Sequence, residues 1–250
     1  MTNTAYTTAP QQIPEAAAPA TCKALLSQSA ELKSKNAWTH IVAVLHPLAE
    51  KHPGVMSDSR AHVLLAEAAF ALSQLHRFEE AITVLRQCLE LYPGYYRYFS
   101  GLAFNYYNAL MAEKSREIRL GDRRKEYFEQ ADRYFTEAEN AFPEGVVDYY
   151  RHGMLYHHLS QMTDRKAIPY FLTAIKNWEI LSPEKKKDRH KDHKNYVKAL
   201  YHLAKAYLNL RQGEKGLEAI ELCIREDEGT GYEEPVHKFY IAGRAYAVLG

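Results

Sequence analysis

From Thr21 to Gly250, apolar residues recur three and four positions apart, interrupted by short clusters of Pro, Gly, Asp and Ser. This is the pattern of amphipathic helices joined by tight turns, with HPGVMSDS, YPGYY and FPEG the clearest breaks. No run alternates strictly between apolar and polar, and the β-branched residues are scattered, so no strand is predicted. Residues 1–20 are rich in Thr, Ala and Pro, lack an apolar period, and read as a disordered tail. Pro47 and Pro169 fall inside helical stretches, where a missing N–H and a ring clash predict kinks.

The helical text repeats itself. One copy carries Leu65, Ala68, Ala69 and Leu72, then Ala81, Leu85, Cys88 and Pro93. The copy before it has Leu25, Ser29 and Leu32, then Ile41, Leu45, Leu48 and Pro53. Later copies run through Phe99, Leu102, Ala103 and Tyr106 with Ala131, Phe135, Ala138 and Pro143, and through Tyr149, Gly153 and Tyr156 with Ala167, Phe171 and Ala174. A fifth has Leu200, Leu203, Ala204 and Tyr207 with Gly216, Ile220 and Cys223; a sixth opens with Phe239, Ala242, Gly243 and Tyr246. In each copy a small residue (Ser29, Ala69, Ala103, Gly153, Ala204, Gly243) lets two helices approach, and large neighbours fill the space between pairs.

This order resembles the tetratricopeptide repeat over roughly residues 22–250. The resemblance implies an all-α, right-handed superhelical array of antiparallel helix pairs, an α-solenoid, across residues 21–250: about five irregular repeats plus the first helix of a sixth. The small slots lie 40, 34, 50, 51 and 39 residues apart, so only one interval has the family's length. Extra residues fall around MAEKSREIRLGDRRKE and in the charged stretch SPEKKKDRHKDHKN.

In the family, positions just after the first large slot and just after the small slot line a concave groove. Here that places Tyr150, Tyr201 and Tyr240, and Phe104, Met154, Lys205 and Arg244, in the groove, with Arg97 and Lys198 near helix starts. An apolar N-terminal part and a tyrosine-and-cation C-terminal part suit a peptide or protein with acidic groups. The co-chaperone type of carboxylate clamp, a Lys and Asn pair on one repeat, is absent.

Composition narrows the function. The formal charge is +1, so no global field points to nucleic acid or membrane, and no run approaches the ~20 apolar residues of a membrane span. The alternative reading is a nucleic-acid-associated protein using the basic segments 114–125 and 185–194. Within those segments interspersed acids predict exposed helix surface with i, i+4 pairs around Arg116–Lys125, and a solvated loop around His190 and His193. No phosphate-binding glycine loop, nucleophile elbow or HExxH motif occurs, and no cofactor or metal site is expected. His152, His157 and His158 lack helical partners of ligand type and read as structural. Cys22, Cys88 and Cys223 are odd in number and widely spaced, which suits a reducing compartment; the first 21 residues resemble no targeting signal. The expectation is a non-enzymatic cytoplasmic adaptor, scaffold or assembly factor. The final helix, residues 235–250, is apolar nearly all round and is expected to offer a face to a second copy of the protein, a partner, or further residues of a longer natural chain.

Overall fold

The computed structural model describes residues 21–159 and 163–250; the tail read from residues 1–20 lies outside them. Among the described residues the structure is helical, with no strand. The chain runs through α1 (Cys22–Ser34), α2 (Trp38–Leu45), α3 (Leu48–Lys51), α4 (Ala61–Gln74), α5 (Phe78–Leu91), α6 (Tyr96–Lys114), α7 (Arg124–Ala141), α8 (Val147–Leu159), α9 (Asp164–Glu179), α10 (Pro183–Lys186), α11 (His190–Asn209), α12 (Gly213–Glu226) and α13 (Pro235–Leu249). Helices α1/α2, α4/α5, α6/α7, α8/α9 and α11/α12 form the pairs, and α13 is a first helix alone.

Five small slots are buried, from Ser29 and Ala69 through Ala103 and Gly153 to Ala204, and the helix pairs close over them. The turns inside the pairs share one device. Asn36, His76, Arg116 and Arg211 each sit just beyond a first helix with φ between 52° and 65°. The next residue then donates its N–H back into the helix, as Arg77 does to Leu72 and Gln212 to Tyr207, each at 2.9 Å.

The two prolines behave differently from each other. At Pro47 the helix does not bend but ends: His46 is extended, as a residue before proline prefers, and α3 starts afresh at Leu48. Pro169 lies inside α9, which continues past it to Glu179. The charged stretch 182–195 is not a loop. It holds α10, capped by the Ser182 side chain, and the first turns of α11, where His193 stacks on Trp178 at 5.2 Å. Around 114–125, most pairing runs across helices rather than along one: Arg123 meets Glu79 at 2.6 Å and Arg124 meets Glu113 at 3.5 Å.

The apolar interior falls into two clusters, one from α1 to α7 that also takes in Leu155 of α8, and one from α8 to α13. A polar joint lies where they meet. His152, fully buried, contacts Glu139 through Nδ1 and Asp132 through Nε2, both at 2.8 Å, and Tyr156 donates its hydroxyl to Asp132. Burial alone lowers a histidine, but the bonds to Asp132 and Glu139 outweigh it and hold His152 above its ordinary value.

Candidate binding groove

First helices follow one another closely: α1 meets α4, α4 meets α6, α6 meets α8, α8 meets α11 and α11 meets α13. Second helices make no comparable contact with the next second helix. The first helices therefore form the inner wall of the curved array, and their outward-turned residues line a groove.

Of the residues the sequence assigns to this groove, Tyr150, Met154 and Tyr201 are buried, at 8%, 4% and 9% exposure, and their rings and chains help to fill the space between α8, α9 and α11. Phe104 and Lys205 are half-buried, as are Lys198 and Arg244, while Arg97 and Tyr240 are exposed. A cleft of about 320 Å³ opens between α4 and α6, lined by Gln74, Phe104, Asn108 and Met111. Another, of about 670 Å³, lies at Asn209, Arg244 and Val248.

Two groups of cations rim this wall. One gathers Arg97 on α6, Arg151 on α8 and Lys191 on α11, close enough for Lys191 to feel both arginines. The other gathers Lys114, Lys205 and Arg244; burial lowers Lys205, Glu233 and Asp164 oppose that, and Arg244 and Lys114 add to it. Between them lie Phe104, Tyr107, Tyr150, Tyr201 and three histidines. His157, His158 and His202 stand with ring centroids 5.2–5.9 Å apart. His158 is driven down to about 4 by burial, then by His157 and the two lysines, and buried His202 is lowered too. At neutral pH the three present neutral rings, and among the described residues no group of His, Cys, Asp and Glu has the makings of a metal site.

Sequence reasoning missed Arg151 and Glu233. Arg151 lies at no slot the repeat pattern singles out, yet its guanidinium sits 3.7 Å above the Phe104 ring. Glu233, from the loop before α13, reaches into the C-terminal part of the groove. It pairs with Lys198 at 3.4 Å, and its charge acts on Tyr150, Tyr201 and Lys205. Lys198 thus holds a carboxylate whose charge also reaches Lys205, Tyr150 and Tyr201.

The tetratricopeptide repeat model matches the chain at residues 63–95 and 197–230, which are the second and fifth copies. No curated protein matches it by sequence. Among solved structures, the thermophilic TPR protein TTC0263 from Thermus thermophilus is similar over 91% of this chain and 98% of its own, with a TM-score of 0.55 at 16% identity. MamA from Desulfovibrio magneticus aligns over 83% of this chain and 96% of its own, with a TM-score of 0.59 at 15% identity. YrrB, described as a TPR protein with an unusual peptide-binding site, aligns over 78% and 81%, with a TM-score of 0.52 at 18% identity. At these identities the likeness concerns the fold. The chain is an all-α helical-repeat solenoid that carries tetratricopeptide repeats, an architecture built for protein–protein interaction.

Proposed function

We propose that this protein is a non-enzymatic adaptor, scaffold or assembly factor of the cytoplasm, which holds a peptide or protein segment in the groove lined by its first helices. The observation that carries this reading is the groove's chemistry: the half-buried Phe104, with Tyr150 and Tyr201 mostly covered beneath the wall, rimmed by Arg97, Lys198, Lys205 and Arg244. Aromatic anchors give contact area at low entropic cost, and cations add charge-assisted bonds. The peptide-binding site of YrrB is a parallel on the same fold. The nucleic-acid reading draws less support, because Arg123, Arg124 and Lys125 already face Glu79, Glu113 and Glu129.

Affinity capture with the wild-type chain and with a Phe104→Glu/Lys205→Glu variant tests the proposal. A partner held by wild type is expected to be lost by the groove variant, its Kd rising at least about tenfold. A Lys125→Glu control, altered on exposed α7, is expected to retain it. Identical partner sets for all three proteins would remove the groove from the function.

A second surface belongs to α13. Its buried stripe is Lys238, Ile241 and Ala245, while Val236, Phe239 and Tyr246 stand more than half exposed on another side. Gly243, the small slot, has no atom within 4 Å of where a Cβ would lie, whereas the same slot at Gly153 is closed by Phe171 of the second helix. We propose that a second copy of the chain covers this face, α13 against α13, as the self-complementary patch of a two-fold dimer. Light scattering is expected to give a concentration-dependent dimer, and Phe239→Glu/Tyr246→Glu a monomer. A wild-type monomer at every concentration would discard this surface.

A further inference from the structure

We infer that Arg97, Arg151 and Lys191 form a subsite for an acidic side chain of the bound protein segment, next to a place where the chain's own Glu233 already fills that role. The inference rests on the groove reading above and names the partner chemistry it selects.

The three cations come from three successive first helices, α6, α8 and α11, at the same end of the groove. Among the described residues, none of them has a carboxylate within ion-pair distance. The acids beside them are engaged elsewhere: Asp148 accepts from the Ser100 hydroxyl at 2.5 Å, and Asp192 meets Arg189 at 3.3 Å. Arg151 has one face covered by Phe104 and its N–H edge bonded to no protein group. Burial lowers Arg151, with Asp148 opposing, and lowers Lys191, with Arg151 adding its repulsion. A guanidinium kept half-buried without an acceptor is unfavourable unless something supplies one.

The neighbouring repeat shows what the groove accepts. There Lys198 pairs with Glu233 at 3.4 Å, and the charge of that carboxylate offsets the burial of Lys205. The two places differ chiefly in that Arg151 and Lys191 have no such acid. A carboxylate fits the planar fork of Arg151 with two parallel bonds, which lysine alone does not offer. With Arg189 beside Asp192, Asp148 alone is left to offset Arg97, Arg151 and Lys191, an excess of positive charge that an added carboxylate would reduce.

The test uses the full chain and three fluorescein-labelled probes: a twelve-residue peptide of alternating Glu and Leu, its Gln-for-Glu counterpart, and a uridine dodecamer. The Glu peptide is expected to bind at least about tenfold more tightly than the Gln peptide, a preference that falls steeply with salt. Arg151→Gln, and separately Lys191→Gln, is expected to erase most of that preference while leaving affinity for the Gln peptide unchanged. Lys191→Gln, at an exposed position without an ion pair, is expected to melt like wild type, so its lost preference will not reflect unfolding. Equal binding of the two peptides, or a preference that survives both variants, overturns the subsite and leaves the groove reading standing. Binding of neither peptide removes both, and tighter binding of the uridine dodecamer replaces the acidic segment with nucleic acid.

Discussion

Replacing Gly153 with alanine is expected to destabilise the array by about 1–3 kcal/mol, although alanine is the better helix former by about 1 kcal/mol. The added Cβ would lie 2.6 Å from Phe171 Cε1 and 2.7 Å from its Cδ1, inside any real contact distance. Phe171 has no room to yield: it is fully buried, with Tyr150, His157 and His202 about its ring. Gly243 occupies the same slot of the repeat but meets nothing within 4 Å, so Gly243→Ala is expected to stabilise by about 0.5–1 kcal/mol through helix propensity alone. Gly153→Trp goes further and should prevent α8 and α9 from closing, while Lys185→Ala, on the exposed α10, should melt like wild type. Urea midpoints for the two alanine variants check the pair; shifts of the same sign would show that slot packing does not distinguish a closed helix pair from an open one.

That contrast marks how far the residues spoke for themselves. The small slots and their large neighbours were legible because packing between helices demands them in a set order, and this points to an all-α array of helix pairs. The turns inside the pairs were not legible: His76, Arg116 and Arg211 adopt positive φ without being glycine, held there by the helix-end hydrogen bonds. The repeat phase assigns Tyr150 and Tyr201 to the groove, where both lie mostly under cover because packing between neighbouring pairs claims their rings. Arg151 and Glu233 escaped because one sits off the repeat phase and the other on a loop, and only tertiary packing brings them to the wall. Lys238, a cation on an otherwise apolar helix, is buried because the carboxylate of Asp227, eleven residues earlier, accepts from it.

That acid sets the last expectation. Asp227→Ala should loosen α13 by about 3–5 kcal/mol, the usual effect of leaving a buried partner charge alone. Asp227 is 2% exposed and accepts from Lys238 Nζ at 2.5 Å, Thr230 Oγ1 at 2.7 Å, and the backbone N–H groups of Tyr232 at 2.7 Å and Glu233 at 3.1 Å. Burial by itself raises this carboxyl, but the bonds from Lys238, Thr230 and the two amides outweigh it and hold it at about 2 instead of 3.8. A depressed carboxyl stabilises the fold above its unfolded value: between pH 4 and 2 the unfolded chain binds the extra proton, so stability falls as the pH drops through that window. Because each repeat leans only on its neighbours, the damage should stay at the C-terminal end. Hydrogen exchange is expected to quicken across α13 and the 227–234 loop while α4 and α5 keep their protection. The groove should register the change as well, since Asp227 holds the amide of Glu233 and so fixes the carboxylate that Lys198 contacts. Unchanged protection of α13 in Asp227→Ala would mean that the apolar stripe Ile241 and Ala245 suffices to dock the helix, and that the Asp227–Lys238 pair only fills space.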